Sequence, residues 1–156
     1  MAKRKLPSGS AKSEQTLTSE EAIAAIGLVT MAADADIEEI EAEILVEALE
    51  EIEVFETYSE EEFEEILNKI VSIAQDEGIE PLLNSAVAAL PNHDLREAAL
   101  MTAMLVVSSD DDIPEEEENY LTALQQLLGI SDERYDEIID ELYEYYDDEE
   151  DEDEDE

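Results

Sequence analysis

Two copies of an acidic pattern carry the side chains of this sequence that are best suited to chemistry. Residues 34–41 and 110–117 each place Asp at the first and third positions, Ile at the fourth and Glu at the eighth, and each copy follows a mostly apolar stretch. We call this pattern the acidic repeat. Carboxylate oxygens are the ligands that hard cations prefer. If each copy joins two helices, its outer acids come close together, so the repeat predicts a site for Ca²⁺, Mg²⁺ or Mn²⁺. The predicted ligands are Asp34, Glu41, Asp110 and Glu117.

A purely structural role competes with this metal site. Asp36 and Asp112 each have a Glu three residues on, which is the spacing of a helix N-cap and its capping-box acid, so capping is the favoured role for these two. The outer acids have a similar alternative, because negative charge is favourable near helix N-termini even when it faces solvent. Neither copy contains a glycine, and the closing Glu comes too early for an EF-hand loop. Any affinity for a cation is therefore expected to be modest.

The chain lacks most of the residue types that catalysis uses. It has no cysteine and one histidine, His93, which lies in a Pro-Asn-His-Asp connection and is interpreted as a polar turn or cap residue. A zinc site of His and Cys, or a di-iron site with two Glu-x-x-His motifs, is thereby excluded. No glycine-rich phosphate loop stands between a strand and a helix. The sequence predicts a protein that is not an enzyme and has no cofactor apart from a divalent cation.

Charge is distributed very unevenly along the chain. The formal net charge is −41, four of the seven basic residues lie in the first twelve positions, and residues 147–156 are all acidic. The negative electrostatic potential that results repels nucleic acid and anionic membranes and attracts basic proteins. We therefore expect protein partners with basic surfaces and no direct binding of nucleic acid. The alternative is that the charge only maintains solubility or suits a salt-rich cell interior.

Hydrophobic periodicity predicts an all-α fold with seven helices. The composition agrees, since 44% of the residues are apolar and the chain has only four Gly and four Pro. The first helix is apolar nearly all round, which is typical of a central, buried helix. The second is expected to bury Ile40, Ile44, Leu45, Ala48 and Ile52. The predicted N-caps are Thr18, Ser59, Asp94 and Ser131. The predicted helices span about 18–33, 38–52, 59–78, 82–90, 94–109, 114–128 and 131–146.

These helices predict three regions of the chain. Residues 1–17 form a flexible basic leader, residues 18–146 a helical domain, and residues 147–156 a disordered acidic tail. The apolar runs are shorter than the roughly 20 residues of a membrane span, although association with a membrane-bound partner stays open. No hydrophobic signal region follows the basic start, so a cytoplasmic location is expected.

Tyrosines near the acidic tail form one more candidate contact surface. Tyr135 is expected in the core, whereas Tyr143, Tyr145 and Tyr146 cannot all face inward on one helix. An exposed tyrosine beside acids could hold a basic, amphipathic partner segment. A fraying helix end is the alternative.

The order of these parts resembles the TerB-like proteins of tellurite resistance and stress response, over about residues 18–146. The resemblance rests on the first apolar helix ending at residues 32–34, on both acidic repeats, on Leu95-Arg-Glu-Ala-Ala-Leu100 and on Leu127-Leu-Gly-Ile130. Residues 21–25 and 53–59 look like the cyanobacterial branch. The resemblance implies a bundle of two related helix-turn-helix units, association with membrane-linked stress complexes, and cation binding through Asp34, Glu41, Asp110 and Glu117. Where the family usually has Asp-Gly, this chain has Asp34-Ala35 and Asp110-Asp111, so the glycine-dependent turn is not assured.

Two functions follow from the sequence. The first is a noncatalytic adaptor or sensor of the TerB-like type that binds divalent cations, and it requires Asp34 and Asp110. The second is an acidic interaction module that covers basic partner surfaces, as a nucleic-acid mimic or a chaperone would, and it requires the tail from Asp147.

Overall fold

The computed structural model describes residues 16–33, 42–107 and 115–154; at residues 115, 116 and 145–154 only the backbone is described. These ranges contain seven α-helices, one short 3₁₀ turn and no strand, which confirms the predicted all-α class. The helices are α1 (Ser19–Ala32), α2 (Ala42–Glu50), α3 (Glu60–Glu77), α4 (Ile79–Ala88), α5 (His93–Val107), α6 (Glu115–Leu128) and α7 (Asp132–Glu154). The 3₁₀ turn, Glu53–Phe55, lies between α2 and α3.

The first helix lies at the centre of the bundle, as its apolar composition predicts. Every residue of α1 from Ala22 to Thr30 is buried, and the helix packs against α5, α4, α3 and α2. Gly27 sits where α2 and α5 approach α1. A Cβ atom at this position would lie 2.5 Å from Leu45 Cδ1 and 3.0 Å from Thr102 Cγ2. The absence of a side chain at Gly27 therefore sets how closely α2 packs on the core.

A pair of hydroxyl groups joins α1 to α6 inside the core. Thr30 Oγ1 donates a hydrogen bond to the Ile26 carbonyl oxygen at 2.8 Å and lies 3.0 Å from the hydroxyl of Tyr120. Both side chains are almost fully buried. Polar groups in such surroundings need partners because their hydration is lost. The pair thus fixes α6 against the central helix at one register.

Three of the four helix caps predicted within the described residues are confirmed. Thr18 and Ser59 form complete capping boxes with the Glu three residues on, and Ser131 Oγ accepts a hydrogen bond from the Arg134 amide. The prediction for α5 was wrong: Asn92, and not Asp94, is the cap, since Asn92 Oδ1 accepts from the Leu95 amide at 3.0 Å. The helix begins at His93, so Asp94 already lies inside its first turn.

The inward faces of most helices agree with the periodicity, and α2 is the exception. Ile44, predicted to be buried, is 42% exposed, whereas Leu49 is fully buried. Leu45, Ala48, Leu49 and Ile52 follow the spacing i, i+3, i+4, i+7 and face the core. Ile44 precedes this stripe by one residue, which rotates it by about 100° around the helix axis. Ile40 lies outside the described residues.

The ends of the helical domain differ from the predicted bounds. Leu17, which the sequence assigns to the leader, is 7% exposed and belongs to the core. At the other end α7 continues to Glu154, although the sequence predicts a helix end near Tyr146 and a disordered tail. No glycine or proline interrupts residues 132–154.

Candidate functional site

The predicted metal ligands are mostly outside the part of the chain that the structure describes. Asp34, Glu41 and Asp110 belong to residues 34–41 and 108–114, which are not described, and the same holds for Asp36 and Asp112. Glu117 lies in the first turn of α6 and is partly buried. Among the described residues, no three His, Cys, Asp or Glu side chains are grouped as a metal ion would need. The four-carboxylate cation site stays a prediction.

A groove with a volume of about 760 Å³ lies between α2 and α3. We call it the acidic groove. Its floor is apolar and largely aromatic, and both rims carry glutamates. The floor residues are Val46, Phe55, Tyr58, Phe63 and Leu67. The rim residues are Glu43, Glu47, Glu50, Glu56, Glu60 and Glu64, all of them exposed.

The aromatic side chains of the floor form one connected cluster. The ring centroids of Phe55 and Tyr58 are 4.9 Å apart in an edge-on arrangement, and those of Phe55 and Phe63 are 5.8 Å apart and stacked. Tyr58 also contacts Phe63, at 5.5 Å. Phe55 and Phe63 are almost completely buried, whereas Tyr58 is only half-buried and so exposes part of its ring. Rings in mutual contact give the floor a defined shape.

Helical periodicity explains why acids and apolar residues meet along this groove. On α2 the lining residues are 43, 46, 47 and 50, and on α3 they are 60, 63, 64 and 67. Both sets follow the spacing i, i+3, i+4, i+7, so each lies on one face of its helix. The capping box at Ser59 and the 3₁₀ turn determine where α3 starts, and thereby bring the two faces opposite each other.

No basic side chain of the described residues lines the acidic groove, and all three of them have partners elsewhere. Lys69 Nζ pairs with Glu21 at 2.9 Å. Arg96 donates to the carbonyl oxygens of Leu90 and Leu128, where α4 and α6 end. Arg134 pairs with Glu97 at 2.8 Å and with two further glutamates of α7. The six rim carboxylates therefore face solvent without a neutralising cation from this part of the chain.

The pKa of Tyr58 reflects burial and the negative charge at one end of the groove. Burial raises the pKa of its hydroxyl group, and the carboxylates of Glu20, Glu62 and Glu21 raise it further. Glu20 and Glu21 belong to the first turn of α1, so the start of α1 lies beside this end of the groove. Of these acids, Glu21 is already paired with Lys69.

A second, smaller groove of about 420 Å³ lies between the turn after α2 and the helices α5 and α7. Its lining also mixes apolar side chains with acids, but Arg134 lies among them. Because Arg134 pairs with Glu97 and Glu141, its single positive charge offsets part of the negative charge of this lining. Its negative potential is correspondingly weaker, so the acidic groove is the better candidate for a cationic ligand.

The other side chains that the sequence singles out do not form a site. His93 is the exposed first residue of α5. Tyr135 is half-buried against the core, with its pKa raised by burial. Tyr143 is partly buried, and the side chains of Tyr145 and Tyr146 lie outside the described set, so the proposed exposed tyrosine remains a prediction.

The acidic groove was not predicted from the sequence. Periodicity places glutamates of α2 and α3 away from the apolar stripe of each helix, but nothing in the spacing shows that two such faces oppose each other. The one local clue is the Val54-Phe55 turn followed by Tyr58. Three aromatic residues within nine positions, in a chain with eight aromatics, predict a local cluster, but not what surrounds it.

Comparison of the chain with protein families, with curated proteins and with solved structures finds no match. The resemblance to TerB-like proteins therefore stays an expectation drawn from the residues. Within the described ranges, none of the helices is both long and apolar enough to span a membrane.

Proposed function

We propose that this protein is a noncatalytic adaptor that binds a basic, amphipathic segment of a partner protein in the acidic groove. The observation that carries the proposal is the combination of an aromatic floor with six glutamates on its rims, in a part of the chain whose three basic residues are all engaged elsewhere. An adaptor role also agrees with the TerB-like resemblance. The groove adds the chemistry of the partner, which the resemblance does not supply.

The dimensions of the acidic groove suit a short segment of chain. Glu43 and Glu50 are seven residues apart on α2, and Glu60 and Leu67 are seven apart on α3, so each wall is about 10 Å long. Two turns of a bound helix, or three to four residues of extended chain, cover that distance. Such a segment presents its cationic groups to both rims and its apolar side chains to Tyr58 and Val46 between them.

The floor and the rims contribute differently to binding. Burying one leucine-sized side chain against the floor stabilises a complex by about 1.5–3 kcal/mol. Each exposed ion pair at the rim contributes only about 0.2–1 kcal/mol and is screened by salt. The apolar contacts therefore provide most of the affinity, whereas the glutamates accelerate association and reject anionic ligands. Nucleic acid, whose phosphates the rims repel, does not fit this groove.

A binding measurement with matched charge variants tests the proposal. The probe is a short synthetic peptide with Lys and Leu at helical spacing, titrated by calorimetry at physiological salt. Glu47→Gln with Glu64→Gln removes two rim charges, and Glu61→Gln with Glu65→Gln removes two exposed charges of α3 outside the groove. We expect the first pair to weaken binding by about five- to tenfold, from two ion pairs of roughly 0.5–0.7 kcal/mol each. The control pair should change it by less than twofold.

Equal losses in the two variants would contradict the proposal, because they would show binding to the overall charge and not to the acidic groove. Replacing the Leu residues of the peptide by Ser provides the second control. Unchanged affinity of that peptide would contradict a role for the aromatic floor.

A further inference from the structure

We propose that the basic part of the leader, Lys3 to Lys12, occupies the acidic groove of its own chain and competes there with the external partner. The proposal rests on the proposed function, because it assigns a second occupant to the same groove. Its physical basis is the position at which the leader meets the folded domain, the length of chain available, and the location of the remaining positive charge.

The leader meets the folded domain on α3, the helix that forms one wall of the acidic groove. Lys69 Nζ donates a hydrogen bond to the Thr16 carbonyl oxygen at 3.2 Å while pairing with Glu21 at 2.9 Å. Leu17 inserts into the core directly after this point. Lys69 lies on α3 two residues beyond Leu67, the last groove residue of that helix, but about 200° around the helix axis from it. A segment that starts at Thr16 therefore has to pass around α3, a helix about 10 Å across, to enter the groove.

The chain before Thr16 is long enough to reach the whole groove. From Lys69 to Glu60, at the far end of the α3 wall, nine residues of helix span about 14 Å, and passing around the helix adds about 10 Å sideways, so the direct distance is about 17 Å. Twelve residues separate Arg4 from Thr16, and for a chain of that length a root-mean-square span of about 19 Å is typical. The effective concentration of a tethered ligand is greatest when these two distances are similar. The tether favours occupancy of this groove over more distant surfaces.

The leader contains most of the positive charge of the chain, four of its seven basic residues. Lys69, Arg96 and Arg134 have internal partners. The other four basic residues are Lys3, Arg4, Lys5 and Lys12. Leu6 follows the first three directly, so the segment combines cationic groups with an apolar side chain, as the rims and the floor of the groove require.

Competition by the leader has a predictable size. A tether of this length gives an effective concentration in the millimolar range. With a dissociation constant on the order of 0.1 mM for the leader segment, the groove is occupied about ten times as often as it is empty, and the affinity for an external peptide falls about tenfold. A partner then needs more apolar surface than Leu6 provides in order to displace the leader.

Paramagnetic relaxation in the full-length chain tests the proposal directly. The chain has no cysteine, so Ser8→Cys introduces a single thiol for a nitroxide label within the leader. We expect the label to broaden the amide signals of residues 43–50 and 60–64 selectively. The broadening should disappear when Lys3, Arg4 and Lys5 are replaced by Gln, and also in the Glu47→Gln, Glu64→Gln variant, but not in the Glu61→Gln, Glu65→Gln control.

Absent or evenly spread broadening would overturn the proposal. So would broadening that arises only between copies, detected by mixing spin-labelled chains without ¹⁵N and ¹⁵N chains without the label, because the leader would then occupy the groove of another copy. Neither readout involves an external peptide, so this experiment decides on the leader even if the proposed function is wrong.

The Lys-Leu peptide then measures the competition. Neutralising Lys3, Arg4 and Lys5 should tighten peptide binding about tenfold. The matched control adds three negative charges on surfaces outside the groove through Gln75→Glu, Asn119→Asp and Gln126→Glu, and should tighten binding by less than twofold. An equal effect of the two variants would refute the competition, while failure of the peptide to bind any variant would refute the proposed function.

Discussion

Replacement of Gly27 by Ala tests the close packing that positions the α2 wall of the acidic groove. On an exposed helix face, Gly→Ala stabilises a protein by about 0.5–1 kcal/mol, because alanine favours helix. At Gly27 the new methyl group would lie 2.5 Å from Leu45 Cδ1 and 3.0 Å from Thr102 Cγ2. Leu45 is completely buried, so it cannot move aside into solvent. Overpacking of a core costs about 1–3 kcal/mol.

The expected net result is a loss of about 1 kcal/mol in the free energy of unfolding, measured by urea denaturation. The closer of the two contacts depends on the Leu45 side chain, so removal of that side chain should reverse the sign, while the contact with Thr102 Cγ2 stays. In a Leu45→Ala background, itself destabilised by about 2–5 kcal/mol, Gly27→Ala should be stabilising by about 0.5 kcal/mol. The coupling energy of this double-mutant cycle is then about 1.5 kcal/mol.

A reference for helix propensity is available on α3. Ser72 is exposed, so the stability difference between Ser72→Gly and Ser72→Ala measures the Gly-to-Ala change without a packing contribution. If Gly27→Ala stabilised the parent chain by the same amount as this reference, the contact between α1 and α2 would not exist as described. The α2 wall would then need another explanation.

Three further outcomes are expected. Tyr120→Phe should lower the free energy of unfolding by about 0.5–1.5 kcal/mol, because it removes the buried hydrogen bond to Thr30, and unchanged stability in denaturant titration would contradict that bond. Asn92→Ala should destabilise the protein by about 1 kcal/mol and Asp94→Ala by less than about 0.5 kcal/mol, as measured by thermal denaturation. A larger loss of stability in Asp94→Ala than in Asn92→Ala would show that Asp94 is the cap of α5. Calorimetric titration with Ca²⁺, Mg²⁺ and Mn²⁺ at physiological salt should show saturable binding that vanishes when Asp34 and Asp110 are changed to Asn. Weak, unsaturable uptake in both proteins would instead show that the acids of the acidic repeat act only as helix caps.

Local signals in the sequence were sufficient to predict most of the helices. Thr18, Ser59 and Ser131 cap helices by contacts within three residues, so their spacing alone identifies the helix starts. At α5 two candidates, Asn92 and Asp94, stand two positions apart with equivalent chemistry. The backbone conformation before α5 places Asn92, and not Asp94, in the cap position. Residue types alone do not specify that conformation.

Burial was predictable where a helix has one apolar stripe or is apolar all round. The failure at Ile44 shows the limit, since apolar residues at 44, 45, 48 and 49 leave two possible stripes one residue apart. The orientation of α2 was decided by its contact with Gly27 of α1, where Leu45 fits against a residue without a side chain.

The sequence by itself determined the all-α class, the seven helices, the buried first helix and the concentration of positive charge in the leader, because these depend on periodicity, capping and composition along a few neighbouring residues. Only the tertiary structure decided that Glu43 to Glu50 and Glu60 to Glu64 face each other across an aromatic floor, and that Thr16 meets the domain at Lys69, on the other side of α3. The physical reason is that a groove between two helices depends on how they are placed relative to each other. That placement follows from how both pack on α1, and not from either helix alone.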